Sequence, residues 1–106
     1  MPSGVAAALY DVVSTSSGQC WSVTSYCPAP GVGPESPADR DYRPGFAAEL
    51  MLKDLGLARE AATGAAAATP LGTRAAELYE AFVADGGRGR DFSAMLPWLA
   101  QRGRDG

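Results

Sequence analysis

The chain has 106 residues, no histidine and a formal net charge of −3. This length is enough for one small domain with a modest core. The acidic balance argues against a nucleic-acid partner, because duplex binders present a basic stripe. The lack of histidine removes the commonest general base and metal ligand. The apolar content of 46% is near the globular average and argues against global disorder.

Cys20 and Cys27 match no zinc spacing, and two thiols without imidazole cannot close a tetrahedral site. No metal is expected. Nothing marks the chain as secreted, so the two cysteines are not expected to pair. No charged segment precedes the first apolar run, and no stretch approaches the roughly 20 apolar residues of a membrane span. The expected location is therefore cytoplasmic, with no membrane partner. Arg88, Arg90, Arg102 and Arg104 cluster near the C-terminus and read as a solvated basic helix end rather than a phosphate site.

In chain order, Val5 to Val13 reads as a short helix with Val5, Leu9, Val12 and Val13 along one side. Ser14 to Gly18 is a break of small and polar residues. Gln19 to Arg43 shows no sustained period and holds Pro28, Pro30, Pro34 and Pro37. A structureless stretch of this length is either a linker or a functional loop. Its aromatics, Trp21, Tyr26 and Tyr42, favour a loop that packs on something. Pro44 suits the first turn of a helix that runs to about Thr63, with Gly64 as its stop. Ala65 to Ala68 fits helix or connection equally. Thr69 and Pro70 predict a capped helix start, with Leu71, Ala75, Leu78 and Phe82 as the apolar face and Gly86-Gly87 as the end. Asp91 caps a last helix with Phe92, Met95, Leu96 and Leu99 inward, and Pro97 predicts a kink or broken turn there. The fold class is all-α, with about four helices and one long ordered loop.

On the helix after Pro44, Phe46, Leu50, Lys53 and Leu57 fall within roughly a 60° arc. Lys53 is the sole lysine and sits between leucines. Two readings fit: the stem snorkels along the core, or the ammonium serves a ligand. A buried ammonium would need an anionic or carbonyl partner or an open cavity. Asp54 is its chain neighbour, although adjacent helical residues point about 100° apart. In the loop Ser17-Gly-Gln-Cys-Trp-Ser22, Trp21 and the later Tyr26 either pack the loop onto the helices or form a rigid apolar wall with polar tips. Gly31-Val-Gly33 lacks the strand and helix context of a dinucleotide loop.

Four segments carry a resemblance: Ser17-Gly-Gln-Cys-Trp-Ser22, Tyr26-Cys-Pro-Ala-Pro-Gly31, Asp41-Tyr-Arg-Pro-Gly-Phe46 and Leu52-Lys-Asp-Leu-Gly-Leu-Ala58. Thr69-Pro-Leu-Gly72, Leu78-Tyr79 and Asp91-Phe-Ser93 extend it over Leu9 to Leu99. The whole resembles the C-terminal helical domain of 3-hydroxyisobutyrate dehydrogenases, within the β-hydroxyacid dehydrogenase family. The resemblance implies a partial helical domain of the 6-phosphogluconate dehydrogenase-like type. In that family NAD oxidises 3-hydroxyisobutyrate to methylmalonate semialdehyde, in valine breakdown. A Rossmann domain holds the cofactor, a long interdomain helix carries the catalytic lysine and an asparagine, and the helical domain closes the cleft and supplies dimer contacts. Lys53 and Phe46 match positions at the cofactor. Trp21 and Tyr26 match positions lining the pocket of the small 3-hydroxy acid substrate, and Asp54 would orient Lys53 or the substrate.

The departures are large. The chain has no glycine fingerprint, no lysine before Lys53 and no Lys-x-x-x-Asn. Residues 1–106 are therefore expected to be a truncated part of such an enzyme, holding no catalytic residue and inactive alone. The expected partner is a missing Rossmann half or a second copy. A non-catalytic self-association module and a dehydrogenase of another hydroxy acid, such as tartronate or 4-hydroxybutyrate, are the alternatives.

Overall fold

A computed structural model of the chain describes residues 3–105. Among them five α-helices form: α1 (Ser3–Ser14), α2 (Trp21–Ser25), α3 (Ala48–Gly64), α4 (Pro70–Phe82) and α5 (Met95–Asp105). No strand occurs among the described residues, only an isolated antiparallel bridge between Ala47 and Asp91. The all-α expectation holds. The chain divides into two compact units, Met1–Arg43 and Pro44–Gly106.

In the first unit, the stretch expected to lack regular structure holds α2 and a 3₁₀ turn, Pro37–Arg40. The proline-rich loop is fixed by its own polar groups. Ser36 Oγ donates to the Cys27 carbonyl at 2.7 Å, and the Tyr42 hydroxyl donates to the Pro28 carbonyl at 2.8 Å. Cys27, Ser36, Pro37, Ala38 and Tyr42 are buried and make the unit's small core. Gly33 lies against it: an added Cβ would stand 3.0 Å from Tyr10 Cε2 and 3.1 Å from Cys27 Cβ. The Asp39 carboxylate accepts from the Gly31 amide at 2.7 Å and the Ser36 amide at 3.0 Å. These two bonds, Gly31 first, hold its pKa below the usual carboxylate value. Both thiols are free, Cys20 exposed and Cys27 buried. On α1, Val5, Leu9 and Val12 are exposed, so the predicted apolar side is an outer face.

The second unit is built on α3 against α4. Helix α3 starts at Ala48, not at Pro44 as the proline suggests, because the residues between are held in extended pairing. The Ala48 amide donates to the Arg90 carbonyl and the Phe92 amide to the Phe46 carbonyl, both at 2.8 Å. Phe46 therefore precedes the helix instead of sharing its stripe. The face of α3 turned inward is Ala48, Met51, Leu52 and Leu55, while Leu50, Lys53 and Leu57 are exposed. On α4 the buried residues are Ala76 and Phe82, with Ala75, Leu78 and Tyr79 half-buried; Leu71, predicted inward, is 85% exposed.

Phe82 is the centre of packing, with ring centroids 6.3 Å from Tyr79 and 5.4 Å from Trp98. Behind it the chain turns through Val83–Gly87, with Gly86 at φ 97°. A Cβ at Gly87 would come within 2.7 Å of the Phe82 carbonyl oxygen, so that glycine is a close-approach position. Trp98 Nε1 donates to Asp85 Oδ2 at 2.8 Å, and the Arg102 guanidinium stacks 4.5 Å from the Trp98 ring. Pro97 causes no kink. A 3₁₀ turn, Phe92–Ala94, precedes α5, which places Pro97 third in that helix, inside the first turn where an N–H has no intrahelical acceptor. Pro70 opens α4 as predicted, but the Thr69 side chain makes no capping bond.

Helix α3 closes on a Schellman arrangement. The Ala67 amide donates to the Ala62 carbonyl at 2.8 Å and the Ala66 amide to the Thr63 carbonyl at 3.2 Å. Ala66 takes the left-handed conformation at φ 56°, the position glycine usually fills. The glycine of this helix end, Gly64, is two residues too early to relieve it. Ala66→Gly is therefore expected to stabilise the chain by about 0.5–1 kcal/mol, the left-handed strain less the added unfolded-state entropy. Urea denaturation of the two chains measures this, and a loss of stability would refute it.

Tyr79 generates a pH dependence. Its hydroxyl donates to the Phe92 carbonyl at 3.0 Å. Burial, and then the Asp91 charge, push its pKa up to about 12. The fold favours the neutral phenol, so its contribution is complete below the unfolded value of about 10 and is lost as pH rises through about 12. Melting temperatures between these pH values should fall less steeply in Tyr79→Phe than in the parent, and equal slopes would assign the alkaline loss to other groups.

Candidate functional site

The two units present separate sets of predicted site residues. In the first, Cys20 takes an extended conformation before α2, and Trp21 is the first residue of that helix. Trp21 is 66% exposed, and its ring lies 5.7 Å, centroid to centroid, from the ring of half-buried Tyr26 at an interplanar angle of 37°. Sequence reasoning placed these two together, and the structure does so through the single turn of α2. An indole this open is not a packing anchor of its own unit.

In the second unit, Phe46 is half-buried and meets Phe92 edge-on, with centroids 5.8 Å apart and planes at 75°. Lys53 and Asp54 are both exposed on the second turn of α3. Among the described residues Lys53 makes no ion pair. The snorkelling reading required Leu50 and Leu57 to face the core. Both are exposed, at 48% and 55%, so the ammonium stands in an apolar strip that faces outward. Two surface depressions, of about 450 and 420 Å³, lie along the C-terminal half of α3 and include none of the predicted site residues.

The strongest polar constellation was only partly read from the sequence. Asp91 is fully buried. Its Oδ1 accepts from the Gly45 amide at 2.9 Å and the Phe46 amide at 3.0 Å. Its Oδ2 accepts from the Ser93 amide at 3.0 Å and from the Ser93 hydroxyl. The Asp-x-Ser pattern announces the cap. Nothing local announces the bonds to residues 45 and 46 positions away. Nearby, Glu49 accepts from the Gly89 amide at 2.9 Å, and this bond first of all lowers its pKa below the usual carboxylate value.

Residues 3–99 match the protein family described as "NAD-binding of NADP-dependent 3-hydroxyisobutyrate dehydrogenase". The chain belongs to that family. Probable 3-hydroxyisobutyrate dehydrogenases of Mycobacterium tuberculosis and Mycobacterium bovis are 46% identical over 97 residues, covering 92% of this chain and 33% of theirs. The NAD-dependent L-serine dehydrogenase of Pseudomonas aeruginosa is 47% identical over 87 residues, 82% of this chain and 29% of that one. The solved structure of the Mycobacterium tuberculosis 3-hydroxyisobutyrate dehydrogenase with L-serine superimposes with a TM-score of 0.82 at 45% identity, over 88% of this chain and 32% of that one. The chain thus spans about a third of the length of the relatives it matches. Its architecture is that of the helical part of a 6-phosphogluconate dehydrogenase-like fold.

The family uses NAD, and the donor set on α3 fits a contribution to holding it. Lys53 offers an unpaired cation with three donors, and exposed Leu50 and Leu57 flank it with apolar surface suited to a flat ring. No glycine-rich phosphate loop accompanies it in the sequence. Among the described residues no cluster of three or more His, Cys, Asp and Glu side chains could hold a metal ion, and no helix is long and apolar enough to cross a membrane.

The exposure of Trp21 has a measurable consequence. Trp21→Ala is expected to change stability by no more than about 0.5–1 kcal/mol, as at other surface sites. Phe82→Ala, at the centre of packing, should cost about 3–5 kcal/mol. Chemical denaturation of both variants tests the contrast, and a comparable loss from Trp21→Ala would make the indole a packing residue.

Proposed function

We propose that this chain is the C-terminal helical part of an NAD-dependent dehydrogenase of small 3-hydroxy acids, and that residues 1–106 act together with a nucleotide-binding Rossmann portion. Lys53 carries the reading. The sole lysine of an NAD-binding family member is exposed and has no ion pair among the described residues, and it stands between two exposed leucines.

NAD, when bound, accepts the hydride released as the substrate's alcohol becomes an aldehyde. The rest falls to side chains of this chain. Lys53 supplies positive charge and hydrogen-bond donors on the cofactor side. Phe46 is an apolar wall beside it, and Asp54 orients Lys53 or the substrate. Trp21 and Tyr26 of the first unit offer an apolar wall that excludes water and fits the substituent at C2 of the acid. One methyl in such a pocket is worth about 1–3 kcal/mol of selectivity. The general acid–base group lies outside this chain, which has no histidine and no second lysine. On this reading the chain alone does not turn over, works in the cytoplasm and associates with a second copy.

Two substrates are proposed in order. The mycobacterial relatives carry the name of 3-hydroxyisobutyrate dehydrogenase, which would place the reaction in valine breakdown. L-serine is the second, because one relative is named for it and the superimposed structure was solved with it. The two acids differ at C2, a methyl against an ammonium, so the aromatic wall of Trp21 and Tyr26 favours the first.

NADH formation is to be followed for the chain alone, and for the chain mixed with a separately produced Rossmann portion that ends in the interdomain helix. Activity is expected only in the mixture, higher with 3-hydroxyisobutyrate than with L-serine, and reduced about tenfold or more by Lys53→Ala. Turnover by the chain alone would overturn the division of labour. Silence in both, with both parts folded, would leave the family membership as ancestry without activity.

A further inference from the structure

The segment Gly45–Ala47 carries Phe46 and leads into α3, on whose second turn Lys53 lies. It belongs to no helix, and its backbone is held from the far end of the second unit. The Phe46 carbonyl and the Ala48 amide pair with Phe92 and Arg90. The Gly45 and Phe46 amides both donate to one oxygen of Asp91. The Phe46 ring stands edge-on to Phe92, the residue next to Asp91. The other Asp91 oxygen takes the Ser93 amide and hydroxyl, which fixes the carboxylate from behind. A helix cap needs only this second half. Asp, Asn and Ser cap about equally well, so the first half asks for a separate explanation.

We propose that Asp91 is a positioning residue for the cofactor side of the site: it presets Phe46 and the entry of α3, so that the apolar wall and the Lys53 cation are in place before NAD arrives. This rests on the reading of Phe46 and Lys53 given under the proposed function. The carboxylate touches neither cofactor nor substrate and acts through the two amides it holds. An ordered wall removes the entropy of arranging it during binding, so the effect falls on cofactor affinity rather than on the chemical step. With Gly45 and Phe46 donating to Asp91, their amides are not offered to a ligand, and the segment contributes surface rather than hydrogen bonds.

Three variants separate positioning from mere stability. Asp91→Ser retains a capping oxygen for Ser93 and lacks the second acceptor. Ser93→Ala weakens the back of the carboxylate and leaves the two amide bonds intact. Phe46→Ala removes the wall itself. Amide hydrogen exchange on the chain alone gives the first readout. Gly45 and Phe46 should be protected in the parent and in Ser93→Ala. They should exchange freely in Asp91→Ser, while α4 stays protected. Free exchange of both amides in the parent overturns the proposal whatever the variants do, including the case in which Asp91→Ser does not fold.

The second readout is the KM for NAD in the mixture with the Rossmann portion. Asp91→Ser should raise it about tenfold with kcat within about twofold, the size expected when a wall is misplaced rather than removed. Ser93→Ala should leave it unchanged. Asp91→Ser combined with Phe46→Ala should match Phe46→Ala alone, because the two act through one contact. A KM that rises with Phe46→Ala but not with Asp91→Ser sinks the positioning role and spares the function. A KM that ignores Phe46→Ala, or a mixture without activity, sinks the reading on which the positioning rests.

Discussion

A single buried carboxylate organises the second unit. At least four donors converge on Asp91 among the described residues, two from a segment about 45 residues earlier and two from Ser93. Removing a charge from water costs several kcal/mol, and it is tolerated only when every lone pair finds a donor in good geometry. That condition is severe, and it makes the site specific. A shift of the 45–47 segment by one residue would remove an amide from Oδ1 and leave a buried charge under-satisfied. The bridge at Ala47 and the start of α3 at Ala48 follow from this constraint, and so does the half-buried setting of Phe46. Tyr79 belongs to the same arrangement. Its hydroxyl is held by the Phe92 carbonyl, and the nearby Asp91 charge opposes its ionisation.

The first unit solves a similar problem with less apolar material. Its loop is rich in proline and glycine, and its few buried side chains are joined by side chain to backbone bonds. Asp41 and Tyr42 both lie in the left-handed region, at φ 53° and 58°. Each such residue costs on the order of 1 kcal/mol. They persist because Tyr42 is buried and its hydroxyl holds the Pro28 carbonyl, so unwinding the turn would open the unit's core. This strain marks the loop as built to shape, since a plain linker would relax it.

Helix existence and type were legible wherever apolar period and punctuation agreed. Pro70 at the head of α4, Gly86 past its end and Asp91 before the last turns all stand where their backbone chemistry predicts. Reading failed where a long-range bond overrode a local signal. Pro44 could have opened a helix, but Asp91 and residues 90 and 92 claim the backbone from Gly45 to Ala48. Thr69 could have capped α4 and does not. Period also cannot say which apolar stripe is the core. On α3 two stripes compete: Ala48 is buried and Met51, Leu52 and Leu55 are half-buried, while Leu50 and Leu57 are left outside. Leu71 and the Val5, Leu9 and Val12 side of α1 repeat the lesson. At the candidate site, the nearness of Trp21 and Tyr26 could be read from the sequence, whereas the outward setting of Lys53 could not, because the helical period placed it between leucines expected to face the core. The buried clamp behind Phe46 could not, because its two halves lie about 45 residues apart.

The competition between stripes on α3 bears directly on function. A helix that served only its own unit would gain by placing leucines inward and a lysine outward. Here two leucines accompany the lysine outward, and leaving them in water forgoes roughly 1.5–3 kcal/mol for each side chain that could have been buried. Scattered exposed leucines need no explanation. Under the proposed function, two of them one helical turn on either side of the sole lysine share one explanation. A dinucleotide combines flat rings with a negatively charged backbone, and a strip of leucine, lysine and leucine offers surface to both. The cation would be costly inside an apolar core and is stable in water. It becomes favourable again only against an anionic or strongly polar ligand. On that proposal the strip adds little to the fold of the second unit and gains its value when something of that chemistry is laid on it.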